Sequence, residues 1–324
     1  MAYPRVKPKS PLPTVDQGVY ADLDELIRLQ FKARGFSFLP RQPVHSLLTG
    51  QRASRLRGRG LNFEEIRRYL PGDDIRTIDW HVTARTRKAH VRVYTEERDR
   101  PALLVVDQRL SMFFGSHRAM KSVVAAETAA LAAWRVFHAG DRVGALVFDD
   151  QDMVEIKPHR SRQQVMQILA AVVEKNHALR VDLPGTPNPT MLNEALVRAL
   201  RLATHDFLVC IISDGFGADD ETVRLATQLT VHNDVLSAFI YDPLEAQLPD
   251  AGRLVVAEGE LQLEVNTSDG SLRQRFHDDF ATRLQHMRDL GRQRQAPLMP
   301  ISTVEGVAEQ IRKLLGQHPP TRRV

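Results

Sequence analysis

The amino-acid sequence predicts a doubly wound α/β fold, in which a mostly parallel sheet carries helices on both faces. From 101 to 242, short apolar runs alternate with longer segments of helical periodicity. The runs are apolar at every position except Ser237, as expected of parallel strands that are covered on both faces. The predicted strands are 102–106, 143–148, 207–212 and 235–240, and the predicted helices are 121–138, 163–174, 190–203 and 219–231.

The remaining composition divides the chain into four parts. Residues 1–15 carry four prolines and are predicted to be a flexible leader. A mixed segment follows at 16–100, the α/β domain spans 101–317, and 318–324 form a tail.

The mixed segment contains three features. A helix is predicted over 16–34 with Asp16 as its cap. An arginine-rich loop, "GQRASRLRGRG", occupies 50–60, and the period-two run "HVRVYTEE" predicts a strand.

The end of the α/β domain departs from simple alternation. The stretch "FDDQDMVEI" predicts a tight turn into one antiparallel strand, and "RLVVAEGELQLEV" predicts a hairpin. An amphipathic helix follows the hairpin. A strand near Leu298 then leads into a helix over 303–315, for which Ser302 and Glu305 have the spacing of a capping box.

The cysteine count, the N-terminal residues and the charge limit the class of protein. The single cysteine, Cys210, excludes a disulfide-stapled secreted fold. The N-terminal residues lack the apolar run of a signal peptide, so we expect a cytoplasmic protein without membrane insertion. The formal charge is +4, but residues 50–100 hold 13 Lys or Arg against 8 Asp or Glu, which makes this segment the basic part of the chain.

Polar side chains stand at the predicted carboxyl ends of the strands, where open α/β sheets bind ligands. Asp107 ends the first strand, and Asp214 follows a later one. Ser111 and Thr190 lie in loops that start from the same edge. Because carboxylate and hydroxyl oxygens are ligands for hard cations, the four residues are candidate ligands of Mg²⁺ or Mn²⁺.

This pattern resembles the metal-ion-dependent adhesion site of von Willebrand factor A domains, which reads Asp-x-Ser-x-Ser, then a Thr loop, then an Asp. The predicted strand order is also similar to theirs. The chain departs at Arg109, which stands where the first Ser is expected. A guanidinium has five donors and no acceptor, so we hypothesise that Arg109 takes the place of the cation and pairs with Asp107 or Asp214. The site is then degenerate, with weak metal binding or none.

The segment before the sheet carries a longer and more specific pattern, which we call the signature segment (67–85). It resembles domain-of-unknown-function family 58, with a similarity that runs from about residue 57 to the C-terminus. The matching positions are Arg67 or Arg68, Tyr69, Pro71, Gly72, Asp73, Asp74, Arg76, Ile78, Asp79, Trp80, Ala84 and Arg85.

The resemblance implies a function through a partner. Proteins of this family are associated with MoxR-type AAA+ ATPases, and their von Willebrand A-like domains are thought to deliver the motor to a client. It therefore implies a non-enzymatic adaptor with a MoxR-type AAA+ ATPase and an unknown client as partners.

Two interpretations of the signature segment stay open. Its acids and arginines predict a structural network of hydrogen-bonded ion pairs. Alternatively, Arg76, Asp79, Trp80 and Arg85 form a recognition surface.

Two other functions compete with the adaptor. A metal-dependent phosphoester hydrolase would use Asp107 and Asp214 to hold cations, which Arg109 disfavours. Nucleic-acid binding would use the basic segment at 50–100, but aromatic stacking partners are few there.

Overall fold

The computed structural model describes residues 18–33, 61–96, 100–180, 187–258, 261–293 and 296–314. The predicted leader, arginine-rich loop and tail lie outside these residues, as does Asp16. Contacts divide the chain into a small unit, residues 41–99, and a large unit formed by 1–40 with 100–324. The predicted grouping of the first helix with residues up to 100 therefore differs from the structure, in which this helix belongs to the large unit.

The elements are numbered in chain order. The first four are α1 (Leu23–Lys32), β1 (Leu61–Arg68), α2 (Trp80–Thr86) and β2 (His90–Glu96). The next eight are β3 (Ala102–Asp107), α3 (Lys121–Ala139), β4 (Val143–Phe148), β5 (Met153–His159), α4 (Arg162–Ala178), α5 (Met191–Leu202), β6 (Leu208–Ser213) and α6 (Asp220–Thr230). The last seven are β7 (Asp234–Tyr241), α7 (Pro243–Ala246), β8 (Arg253–Glu258), β9 (Leu261–Asn266), α8 (Gly270–Gln293), β10 (Leu298–Ser302) and α9 (Val307–Leu314).

The large unit is built on a six-stranded sheet in the order β10-β7-β6-β3-β4-β5. Every neighbouring pair is parallel except β4 and β5, which are antiparallel. The doubly wound prediction and its single antiparallel strand are confirmed. Since the order reverses at β3, the carboxyl ends of β3 and β6 lie where ligand sites form in such sheets.

Two cores lie on opposite faces of the sheet. One core packs α1, α3, α4 and α9 against it, and the other packs α5 and α6. Helix α3 is rich in alanine and buried along most of its length. Its small side chains let it lie between the sheet and α1, whose Leu26 carbonyl accepts a hydrogen bond from the Trp134 ring at 3.1 Å.

Both terminal helices begin later than predicted. Asp22 caps α1, because its carboxylate accepts the Glu25 amide at 2.8 Å. Helix α9 begins at Val307, so the predicted start at 303 and the capping box of Ser302 and Glu305 are wrong. The Gln310 side chain instead binds both backbone groups of Ser302, at 2.8 Å each, and holds a turn before the helix.

The small unit pairs β1 with β2 in an antiparallel ribbon. Its acids are structural: Asp73 receives two hydrogen bonds of 2.8 Å from Arg67, and Asp79 caps α2 and pairs with Arg92 at 2.8 Å. The side-chain hydrogen bonds from Arg67 lower the pKa of Asp73. The pKa of Asp79 is lowered most by the hydrogen bond from the Val82 amide and next by the hydrogen bond from the Arg92 side chain. Each of these two acids pairs with an arginine, as the structural interpretation expects, but the two pairs are separate.

Within the described residues, no helix has both the length and the apolar character needed to cross a membrane.

Candidate functional site

The candidate site lies at the carboxyl edge of the sheet. Asp107 ends β3, Asp214 follows β6, and the loop 108–120 joins β3 to α3. Two cations from the protein itself, Arg109 in this loop and Lys121 at the first turn of α3, pair with these acids. We call Asp107, Arg109, Lys121, Asp214 and Glu245 the paired-charge site.

Arg109 and Asp107 form a fully buried ion pair, since neither side chain has any exposed surface. The guanidinium Nη2 donates to Asp107 Oδ2 at 2.7 Å and Nε donates to Oδ1 at 3.0 Å, while the Arg109 amide also donates to Oδ1 at 3.0 Å. The remaining donors reach backbone carbonyls, Asn188 at 3.3 Å and Phe216 at 3.1 Å. The guanidinium thus bonds three loops to one another.

Both carboxylate oxygens of Asp107 are engaged, because the Ser213 hydroxyl also donates to Oδ2 at 2.7 Å. Complete burial raises the pKa of Asp107, against the opposing effect of Arg109 and Ser213. Burial alone would lower the pKa of Arg109, but the hydrogen bonds and charge of Asp107 hold it above its usual value. The four donors favour the ionised carboxylate.

Lys121 forms the second pair. Its Nζ lies 2.8 Å from Asp214 Oδ2 and 2.5 Å from Glu245 Oε1, and its side chain is 3% exposed. Burial would raise the pKa of Asp214, but the Lys121 charge and hydrogen bond hold it below the usual value. Asp214 Oδ1 also accepts the Phe216 amide at 2.9 Å. Lys121 therefore joins the loop after β6 and the short helix α7 to the start of α3.

Two exposed phenylalanines lie over these cations, and we call them the aromatic rim. The Phe216 ring centre is 5.9 Å from the Arg109 guanidinium, and the Phe114 ring centre is 6.0 Å from Lys121 Nζ. Phe216 is 38% exposed and Phe114 is 40% exposed. The edge of the sheet thus presents apolar rings above buried ion pairs.

Two of the candidate ligands do not meet the predicted arrangement. Thr190 is exposed, and its hydroxyl donates to Asn188 Oδ1 at 2.7 Å and to Glu194 Oε1 at 3.4 Å. It therefore bonds neither Asp107 nor Asp214. The Ser111 hydroxyl is buried and has no hydrogen-bond partner among the described residues. The structure brings Asp107 to Arg109 and Asp214 to Lys121.

Two positioning residues were missed from sequence. Asp150 accepts the amides of Leu110 and Asn188 at 2.7 Å each, and so joins the loop 108–120 to the loop before α5. Asp242, which follows β7 and caps α7, accepts hydrogen bonds from the Ser116 hydroxyl at 2.6 Å and the Thr303 hydroxyl at 2.5 Å. In the sequence, Asp242 comes at the end of an apolar run, as Asp107 and Asp214 do. This feature could have identified Asp242 as a residue of the same sheet edge.

A divalent cation does not fit at Asp107. A cation there needs free carboxylate oxygens and neighbouring oxygen ligands, whereas both oxygens already accept from Arg109 and Ser213. Of the four predicted ligands, Ser111 is the one whose side chain makes no hydrogen bond to the described residues. No group of three or more His, Cys, Asp or Glu suited to a metal occurs within the described ranges.

The predicted recognition residues of the small unit have different environments. Asp79 is buried and structural, whereas Trp80 is 69% exposed and Arg76 and Arg85 are exposed. Trp80 is therefore not part of the small unit's own core. The arginine-rich loop, on which nucleic-acid binding rested, lies outside the described residues.

Comparisons with known proteins identify relatives of the chain. The family described as "Protein of unknown function DUF58" matches residues 65–286. The uncharacterized protein Rv1480 of Mycobacterium tuberculosis is 29% identical over 289 residues, 87% of each chain. Among solved structures, BatB from Bacteroides thetaiotaomicron has a TM-score of 0.37 at 14% identity and covers 67% of this chain and 100% of its own. The SpRpn10 VWA domain also has a TM-score of 0.37 at 14% identity, with coverage of 68% and 99%.

Proposed function

This chain belongs to the DUF58 family of proteins of unknown function, and on that premise we propose that it is a non-enzymatic interaction protein whose contact surface is the aromatic rim. One observation carries the proposal: Asp107 and Asp214 at the carboxyl edge each pair with a cation of the protein itself, while Phe114 and Phe216 remain exposed above these cations. Exposed aromatic side chains on a fixed support are typical anchors of protein interfaces.

The loop that carries Phe216 lies close to Pro189, in the loop before α5. Gly215 and Gly217 flank Phe216 with φ angles of +68° and +73°, which L side chains rarely adopt. A Cβ on Gly217 would lie 2.4 Å from Pro189 Cβ.

We propose a MoxR-type AAA+ ATPase as the partner, together with a client protein. The proposal follows from the resemblance of the signature segment to the family, and the chain itself has no Gly-x-x-x-x-Gly-Lys loop for a nucleotide. Exposed Arg76, Trp80 and Arg85 in the small unit offer a second contact for the same partner.

We also propose that the contact does not depend on a divalent cation. Arg109 and Lys121 supply the positive charge that a metal would supply at this edge. A hydrolase built on Asp107 and Asp214 would need these carboxylates to hold metal ions or substrate, and both already bind protein cations.

The aromatic rim is tested by serine substitutions. In a pull-down with the purified ATPase, Phe114→Ser and Phe216→Ser should each weaken binding about tenfold, since aromatic anchors dominate interface energies. Val231→Ser is the matched control, because Val231 is 61% exposed but follows the carboxyl end of α6. Binding should persist in EDTA.

Two results would contradict this function. Equal binding by all three variants would show that the aromatic rim is not the contact, and loss of wild-type binding in EDTA would show that a metal is needed. A wild-type protein that captures no ATPase, with or without nucleotide, would remove the proposed partner.

A further inference from the structure

The segment 18–22, which precedes α1 and which we call the strap, is fastened to the end of the loop 108–120. The Gly18 carbonyl accepts the Met120 amide at 2.7 Å. The Tyr20 ring lies 5.6 Å from the Phe113 ring, centre to centre. Phe113 and Met120 both belong to the loop that carries Arg109 and Phe114. The strap therefore contacts the loop that contributes Arg109 to the paired-charge site.

A buried chain of amide groups makes a second connection. The Ala21 amide donates to Asn176 Oδ1 at 2.7 Å, and Asn176 Nδ2 donates to Gln108 Oε1 at 3.0 Å. Gln108 Nε2 then donates to the Ser122 carbonyl at 3.0 Å. Asn176 and Gln108 are both 0% exposed, so each bond that is lost leaves a buried polar group without a partner.

Gln108 stands between the two residues of the buried ion pair, Asp107 and Arg109. The strap is thus connected to both ends of the loop 108–120. Asn176 connects it to Gln108 at the start of the loop, and the Gly18 carbonyl connects it to Met120 at the end of the loop. The loop after β6, which carries Phe216, is bonded to the loop 108–120 through Arg109, whereas α6 packs in the core on the other face of the sheet from α3.

We propose that the strap and the aromatic rim are coupled, so that release of the strap loosens the loop 108–120 and weakens the partner contact made by Phe114. Coupling of this kind is reciprocal: a partner bound at Phe114 holds the strap in place to the same extent. The second half of this inference rests on the proposed interaction function, while the link between strap and loop does not.

A single substitution at Gly18 can displace the strap. Its φ is +92°, and a Cβ there would lie 2.2 Å from the Arg118 carbonyl oxygen. Gly18→Ala therefore displaces the strap. Gly252→Ala is the matched control, since Gly252 has a φ of +76° and a Cβ there would meet nothing within 4 Å. The control carries the same backbone strain without the steric clash.

Hydrogen exchange on the full chain measures the link. In Gly18→Ala, amides of the strap and of 108–120 should exchange severalfold faster, while those of α6 keep the wild-type rate. Gly252→Ala should leave all three segments unchanged. Faster exchange in the strap with an unchanged loop would overturn the inference.

If the strap stays protected in Gly18→Ala, Asn176→Leu cuts the amide chain directly, and an unchanged loop in that variant would overturn the inference as well. Affinity for the ATPase then tests the functional half. Gly18→Ala should bind severalfold more weakly than Gly252→Ala, and equal affinities would contradict the coupling. A wild-type protein that binds no ATPase contradicts the proposed function alone, since the exchange result stands without it.

Discussion

Replacing Arg109 by methionine is expected to lower the free energy of unfolding by about 3–5 kcal/mol, because it leaves the Asp107 carboxylate buried without a cation. The pair is fully buried and the guanidinium makes hydrogen bonds to three loops. Urea denaturation measures the loss. Arg109→Lys should lose less, since it keeps the charge but not the planar set of donors.

The double variant Arg109→Met with Asp107→Asn separates charge from packing. It should be more stable than Arg109→Met alone, because the buried group is then neutral. Arg224→Met removes an exposed partner of Glu221 and should have little effect. A single Arg109→Met variant as stable as the wild type would show that the buried pair is not needed by the fold.

Replacing Lys121 by methionine should cost about 3 kcal/mol, since Asp214 is almost fully buried and loses its cation. Glu245, which is more exposed, adds little to this cost. Lys313→Met is the control, because Lys313 pairs with Glu305 at the surface. Urea denaturation at neutral pH measures both variants, and equal losses would contradict the role given to Lys121.

The same variant changes how stability depends on pH. In the wild type, Lys121 holds the pKa of Asp214 below its usual value, so this contribution is present at neutral pH and is lost as the pH falls through the folded-state pKa. In Lys121→Met, burial dominates and raises that pKa, so protonation favours the folded state. The stability deficit of the variant should therefore shrink as the pH falls from about 7 to about 4. A constant deficit would contradict the assignment.

Much of the fold could be predicted from the sequence because its strands and helices carry local signals. The apolar run of β3 and the "DDQD" turn before β5 need no long-range information. The first helix was misplaced because its packing on α3 depends on contacts far apart in sequence, such as that of Leu26 with Trp134.

The site was predictable in part. The position of Arg109 within the resembled pattern correctly indicated its pairing with Asp107. Lys121 was missed, because a lysine at a helix start has no local mark of burial until the loops of Asp214 and Glu245 meet around it. Thr190 matched the pattern in spacing, but the backbone before α5 directs its hydroxyl to Asn188.

We propose that Arg109 and Lys121 supply the positive charge that a metal ion would supply at this edge of the sheet. Calorimetric titration of the purified protein with Mg²⁺ and Mn²⁺ tests this proposal, with Asp107→Ala as the comparison. We expect no saturable binding at sub-millimolar concentrations in either protein. Sub-millimolar binding by the wild type that disappears in Asp107→Ala would contradict it.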